Sequence, residues 1–141
     1  LTYTNTKYGY SFKYPDSSIK LYSFTGEGNN TNITNDAEIV IVEDIDKVGI
    51  SDGYIVEINF DNSTTAGIDN YISSNYRYFN KTATNIDGLA GFKVEPLDSP
   101  GGTPTNWTSY YVAKNNGIYK ISVSSEDTLA SEIFTSFKFT K

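Results

Sequence analysis

The two ends of the chain alternate aromatic and polar residues, and this alternation constrains the fold more than any other feature. Residues 8–15 read YGYSFKYP and residues 133–140 read IFTSFKFT. A period of two predicts a β-strand with one apolar face, so we expect Tyr10, Phe12 and Tyr14 on one side of an early strand. Phe137 and Phe139 continue the aromatic pattern at the other end. The first and last elements are therefore predicted to share one hydrophobic core.

Turn residues predict two hairpins in the second half of the chain. Asp87-Gly88 and Asn115-Asn116-Gly117 tolerate the positive φ angles of tight turns. Strands are predicted after the first turn, on both sides of the second turn and in several earlier segments, which alternate or are β-branched. The predicted strands are 10–14, 19–24, 38–43, 54–60, 90–94, 107–114 and 118–124. Segment 96–105 is rich in Pro and Gly and is predicted to be a loop without regular structure.

Two segments carry apolar residues at helical spacing. The first predicts a helix capped from segment 62–65, and the second predicts a helix capped by Ser124 or Ser125. The residues at helical spacing are Ile68, Tyr71, Ile72, Asn75 and Phe79 in the first segment, and Leu129, Ile133, Phe134 and Phe137 in the second. Strands with tight turns and two interposed helices predict an α+β fold, an antiparallel β-sheet flanked by helices. Since no repeat or break is visible, residues 1–141 are predicted to form a single domain.

The composition excludes several classes of function. The chain has no Cys and no His, which excludes thiol catalysis, a disulfide scaffold and the common Cys and His metal sites. Its 11 basic and 17 acidic residues give a net charge of −6, and Arg77 is its single Arg. Phosphate backbones and anionic lipids need clustered Lys and Arg, so we expect no nucleic-acid binding. We also expect no cofactor and no enzymatic activity.

The start of the chain and its surface composition predict where the protein resides. The chain begins at Leu1 and contains no Met, which we interpret as a processed product or an excised domain. Abundant Asn, Thr and Ser are typical of secreted or cell-surface domains. No apolar run approaches the roughly 18 residues of a membrane span. We therefore predict an extracytoplasmic domain, secreted or lipid-anchored, that contacts a membrane only through an N-terminal anchor missing from this chain.

Several segments resemble the PsbP-like family, which has the Mog1/PsbP fold. Residues 8–15 are similar to the family's aromatic strand Y-G-F-S-F-x-Y-P, and residues 70–72 to its central helix. The hairpin 110–122 and the closing residues 136–139 resemble its C-terminal half. The sequence departs from the pattern at Ile19, where the family usually has Trp, and lacks the His residues proposed as metal ligands in photosynthetic members. The resemblance implies a bacterial extracytoplasmic or lipoprotein accessory domain and transfers no functional residue.

One acidic loop has part of a metal-binding pattern. Asp44 and Asp46 lie in the loop 44–52, whose Asp-x-Asp-x-x-Gly spacing is typical of calcium loops. The later ligands of an EF-hand are absent, since Val48 and Ile55 stand in their places. We interpret the loop as a solvated acidic segment and predict no metal site.

A carboxylate-based hydrolase is one enzyme class that this composition leaves open, and Lys-based catalysis, to which no particular Lys is assigned, is another. Glycoside hydrolysis needs only two carboxylates and no His. The candidates are Glu57, Asp61, Glu95 and Asp98, none of which lies in a local catalytic signature. We interpret them as surface acids.

Trp107 and Tyr110, beside the loop rich in Pro and Gly, form the best candidate patch for a partner or ligand. Aromatic rings stack on sugars and anchor protein interfaces. Alternation along the strand offers a competing explanation, with Trp107 and Tyr111 on one face in the core and Tyr110 on the other. We predict a non-catalytic accessory domain that binds a protein partner or a small ligand. The alternative is a carbohydrate-recognition module of a cell-surface protein.

Overall fold

Most of the described chain is β-structure. The computed structural model describes residues 1–24, 30–47, 53–62 and 67–141, and of these residues 51% lie in strands and 15% in helices. The strands are β1 (Thr2–Asn5), β2 (Tyr10–Lys13), β3 (Ile19–Phe24), β4 (Asn30–Asn32), β5 (Ile39–Asp44), β6 (Tyr54–Asp61), β7 (Phe79–Ile86), β8 (Leu89–Pro96), β9 (Trp107–Lys114), β10 (Gly117–Ser124) and β11 (Lys138–Phe139). The helices are α1 (Ile68–Asn75), α2 (Thr128–Thr135) and a 3-10 turn (Ile45–Lys47).

The predicted α+β class, with the Mog1/PsbP-like arrangement, is wrong. Two antiparallel sheets carry the described part of the chain and two short α-helices pack on them, which is closer to a β-sandwich. The class was misjudged because β1 and β7 are rich in Thr and Asn, and β7 exposes residues 80–83 to solvent. A strand that buries little surface needs no apolar alternation, so hydrophobic periodicity does not reveal it.

The larger sheet contains eight strands in the order β4-β3-β5-β6-β10-β9-β8-β7. Both predicted hairpins are confirmed. Asp87 and Gly88, with φ of 48° and 81°, join β7 to β8, and Asn115 and Asn116, with φ of 55° and 60°, join β9 to β10. Positive φ at both central residues is the type I′ turn, whose twist matches that of the flanking strands.

The smaller sheet, β1-β2-β11, and α2 cover one side of the larger sheet, which we call face A. Tyr10, Phe12 and Phe137 are buried there in one cluster with Tyr119 and Ile121 of β10. Because β2 pairs directly with β11, the prediction that the two ends share one core is confirmed.

A buried amide joins the smaller sheet to the segment before β5. The Asn5 side chain is fully buried, and its Nδ2 donates to the carbonyl of Ala37 at 2.8 Å and to the hydroxyl of Tyr3 at 3.1 Å. Its Oδ1 accepts from the amide of Tyr8 at 2.9 Å. The Tyr3 hydroxyl donates in turn to the carbonyl of Thr34 at 2.7 Å. A buried polar group is tolerated when it is bonded in this way.

The opposite side of the larger sheet, face B, is partly covered by α1. Ile72 of this helix is buried against Val94, Tyr111 and Ile118. The helix begins after Gly67 and ends at Asn75, so the predicted helical position of Phe79 is wrong and that residue begins β7. Of the predicted cap segment 62–65, only residue 62 lies within the described residues.

The second helix begins later than predicted, by two residues from Ser125 and by three from Ser124. Its N-cap is Asp127, whose Oδ1 accepts from the amide of Ala130 at 2.8 Å. Ser124 still belongs to β10, so it cannot leave the strand to cap a helix.

The predicted loop 96–105 also contains some regular structure, a bridge between Leu97 and Pro104. In the described ranges, neither helix is long and apolar enough to cross a membrane.

Candidate functional site

Trp107 and Tyr110, predicted together as a binding patch, lie on opposite faces of the larger sheet. They are three residues apart on β9, and successive side chains of a strand point to opposite sides. Tyr110 lies on face A, where its ring stacks on Phe134 of α2 with 4.1 Å between centroids and 23° between planes. Tyr110 is therefore mainly a packing residue, and the structure does not bring the two rings together.

Trp107 shares face B with a group of polar side chains. Ser109 follows two residues later on β9, about 7 Å along the strand. Ser109 lies opposite Ser122 of β10, which lies opposite Glu57 of β6. We call this region the polar patch and define it by Glu57, Tyr76, Trp107, Ser109, Lys120 and Ser122. Except for Ser109, which is buried, each member is half-buried.

A chain of hydroxyl groups runs from the core to the polar patch. The buried Tyr111 donates to the hydroxyl of Tyr76 at 2.7 Å, and Tyr76 donates to Ser109 Oγ at 3.0 Å. The Ser109 and Ser122 hydroxyls are 3.0 Å apart. When each hydroxyl donates to the next, the chain ends with the Ser122 donor free for a group above the sheet. Such a chain orients its members and strengthens each bond in it.

Tyr76 is held over the sheet by its position directly after α1. It is the C-cap of the helix, with extended backbone (φ −136°, ψ 141°). Its ring meets that of Tyr111 edge-on, with 6.3 Å between centroids and 88° between planes. The Lys120 ammonium lies 5.6 Å from the centroid of the same ring, within the range of a cation–π interaction. Helix α1 therefore supplies one wall of the polar patch.

Burial widens the pH range over which the inner end of the hydroxyl chain stays neutral. Desolvation, and then the hydrogen bond to Tyr76, raise the pKa of Tyr111 well above its ordinary value. Tyr111 therefore remains a neutral hydroxyl donor at every physiological pH. The pKa of Tyr71, beside it on α1, is also raised by burial and by the nearby carboxylate of Asp61, to which its hydroxyl donates at 3.2 Å.

The candidate catalytic acids are spread over both faces of the sheet. Glu57 and Asp61 share face B but are four residues apart on β6, about 13 Å between Cα atoms at roughly 3.3 Å per residue. Glu95 is two residues from Lys93, which lies opposite Tyr110, so it belongs to face A. Asp98 accepts from the amide of Thr103 at 3.1 Å and shapes its own loop. This arrangement gives no catalytic pair on one face at short range.

Only part of the predicted acidic loop 44–52 can be placed, because residues 48–52 lie outside the described residues. Asp44 is buried, and its Oδ1 accepts from the amide of Asp46 at 3.1 Å. Lys47, the next residue, pairs with Asp127. Among the residues that the structure describes, no three acidic side chains are grouped closely enough to hold a metal ion.

Among the described residues, at least two grooves lie away from the polar patch. The larger, of about 560 Å³, runs between the smaller sheet and α2 and includes Tyr14, Leu129 and Ser136. Its Ser136 hydroxyl already accepts from the amide of Lys13 at 2.8 Å and donates to the carbonyl of Ile133 at 2.7 Å. A second groove of about 400 Å³ lies beside Ile68, Gly91 and Phe92 and is mostly apolar. The first groove also contains Lys13, Tyr14 and Glu132, so what distinguishes the polar patch is its chain of hydrogen-bonded hydroxyls beside a tryptophan.

Part of the polar patch could have been found in the sequence. The turn Asn115-Asn116 fixes the register of β9 and β10, which places Ser109 opposite Ser122. Alternation then puts Trp107 on their face. Tyr76 carries no such signal, because it reaches Ser109 through the packing of α1 on the sheet.

We compared the chain with models of known protein families and with curated proteins of known sequence. Neither comparison gave a match.

Proposed function

We propose that this protein is a non-catalytic extracytoplasmic binding domain that holds a carbohydrate on its polar patch. The observation that carries the proposal is the hydroxyl chain from Tyr111 to Ser122, flanked on its own face by Trp107. Sugars present many hydroxyls and weakly polar faces. Sites for them therefore combine oriented donors and acceptors with an aromatic ring.

Each member of the polar patch has a role in this proposal. Trp107 stacks on a sugar ring, and Ser122 donates to a sugar oxygen at the end of the hydroxyl chain. Glu57 accepts from sugar hydroxyls, and Lys120 donates to them. Tyr76 keeps Ser109 and Lys120 in place through the contacts described above.

A protein partner is the other occupant predicted from the sequence, and the polar patch favours it less. Centres of protein interfaces are depleted of charged residues and enriched in apolar and aromatic ones. The polar patch instead mixes one aromatic platform with hydroxyl, carboxylate and ammonium groups. The abundance of Asn, Thr and Ser supports an extracytoplasmic location.

The proposal is tested by glycan-array screening, followed by calorimetric titration with the oligosaccharides that bind. We expect Trp107→Ala to abolish binding and Lys120→Ala to weaken it at least tenfold. The matched control is Lys93→Ala, which removes a half-buried strand lysine from face A and should leave the affinity unchanged. If no glycan binds, or if Trp107→Ala binds like the wild type, the proposal is wrong.

A further inference from the structure

The last strand of the larger sheet has a long unpaired side. β7 pairs with β8 over its whole length, from Phe79 opposite Pro96 to Ile86 opposite Leu89. In the described ranges, no strand pairs with its other side. Residues 80–83 and 85 are exposed. β7 therefore presents a row of free backbone donors and acceptors.

The hairpin geometry shows which groups point away from β8. Beside a two-residue turn, the flanking residues Ile86 and Leu89 exchange both of their hydrogen bonds, and bonded and non-bonded pairs then alternate along the strand. The N–H and C=O groups of Thr84 and Thr82 consequently face β8. Those that face outward belong to Phe79, Lys81, Ala83 and Asn85.

β7 lacks most of the features by which natural sheets protect an edge. It has eight residues, contains no Pro and shows no break in its register with β8. Its single charged residue, Lys81, already forms an ion pair with Asp69 of α1. The strand at the opposite end of the sheet, β4, has only three residues. The exposed edge of β7 is thus long enough for a further strand.

We infer that β7 pairs antiparallel with the β7 strand of a second copy of this chain, about a two-fold axis at Thr82. A symmetric antiparallel pair must place one residue opposite itself. Centring on Lys81 would oppose two ammonium groups, and centring on Ala83 would extend the pairing into the turn at Asp87. With Thr82 at the centre, Lys81 faces Ala83 of the partner, and all four outward residues find partners within the strand.

The side chains agree with this register. On face A, Thr82 lies opposite Thr82 of the second copy, and Thr–Thr pairs across strands are favourable. Asn80 faces Thr84, so this side of the pair carries no charge. The added surface is one strand per copy, which is less than a standard protein interface buries. We therefore expect a reversible dimer with a dissociation constant of roughly micromolar or above.

Sedimentation velocity over a range of protein concentrations tests this inference with two opposite substitutions of one residue. Ala83→Lys places an ammonium opposite Lys81 of the partner and should leave only monomer. Ala83→Glu places a carboxylate there and should tighten the dimer several-fold at low salt. Ala113→Lys, at an exposed alanine of the interior strand β9, is the matched control and should dimerise like the wild type.

Circular dichroism of each variant checks that the fold is retained. We expect that it is, because residue 83 is exposed in the monomer. The inference is overturned if the wild type stays monomeric at millimolar concentration. That result would favour a strand of another protein as the partner of β7. It is also overturned if Ala83→Lys dimerises as tightly as the wild type. Neither result bears on glycan binding, since the polar patch does not include β7.

Discussion

The ammonium group of Lys47 pairs with the carboxylate of Asp127, and the same carboxylate caps the first turn of α2. Lys47 ends the 3-10 turn that follows β5, whereas Asp127 follows β10, 80 residues further along the chain. The Asp127 side chain is 3% exposed and that of Lys47 is 46% exposed. One buried acceptor thus fixes the start of the helix that covers the core on face A.

Loss of this acceptor should cost more than loss of its cation. Asp127→Ala removes the helix cap, and we expect the free energy of unfolding to fall by about 1–2 kcal/mol. Lys47→Ala removes an ion pair whose cation is half-exposed, so we expect a smaller fall than for Asp127→Ala. Urea denaturation at neutral pH measures both values. A larger loss for Lys47→Ala than for Asp127→Ala would contradict this account.

The buried amide of Asn5 should be among the most sensitive side chains in the protein. Asn5→Ala leaves the Ala37 carbonyl and the Tyr8 amide without their partner, so we expect a loss of about 2–4 kcal/mol. Asn80→Ala, at an exposed position of β7, is the control and should change stability by less than about 0.5 kcal/mol. Urea midpoints that are equal for the two variants would show that the amide network does not stabilise the fold.

Stability should fall in alkali because of Tyr3. Burial, only partly offset by the hydrogen bond from Asn5, raises the pKa of Tyr3 to about 12. The folded state thus holds this proton more tightly than the unfolded chain, in which tyrosine titrates near 10. The stabilisation is complete below about pH 10 and is lost as the pH rises through about 12.

A pH series of urea midpoints tests this prediction on Tyr3→Phe, which has no phenol proton to lose. The difference in stability between wild type and Tyr3→Phe should shrink between about pH 10 and pH 12. Tyr78→Phe, at a half-buried ring outside this network, controls for the loss of a hydroxyl. A wild-type advantage that stays constant over this range would be evidence against the assignment.

Gly91 allows β8 to approach β9 closely. A Cβ at this position would lie 2.4 Å from the carbonyl oxygen of Tyr111, a backbone atom that cannot rotate away. We expect Gly91→Ala to lower the free energy of unfolding by about 1–3 kcal/mol. Gly67→Ala is the matched control, since a Cβ there meets none of the described residues within 4 Å. The midpoints of thermal unfolding of the two variants should differ clearly. Equal midpoints would argue against the close approach of β8 to β9 as the reason for glycine at position 91.

The elements that sequence reasoning located correctly are those with strong local chemistry. Asp87-Gly88 and Asn115-Asn116 tolerate the positive φ that a type I′ turn requires, and both predicted hairpins form at these turns. The aromatic alternation of Tyr10 and Phe12 located β2, and the expectation that the two ends share one core agrees with the pairing of β2 with β11. These signals depend on a few neighbouring residues, so a single sequence suffices to detect them.

What the sequence did not reveal depends on tertiary packing. β7 is polar because it lies at a sheet edge, and nothing in its local pattern distinguishes it from a loop. No local pattern distinguishes Tyr76 from other tyrosines, because its hydrogen bond to Ser109 depends on the packing of α1 on the sheet. Trp107 and Tyr110 were grouped by proximity in the chain, although the pleat separates them. The fold class was misjudged for the same reason, because a polar edge strand such as β7 has no hydrophobic alternation from which it could be predicted.

Fluorescence of Trp107 provides the most direct test of the proposed carbohydrate site. It is the single tryptophan of the chain, so its emission reports on the polar patch alone. Titration with the oligosaccharides selected on the array should give a saturable change in emission. Tyr76→Phe breaks the hydroxyl chain and should lower the affinity at least several-fold. Emission that stays constant while calorimetry reports binding, or equal affinities for wild type and Tyr76→Phe, would contradict the assignment of this site.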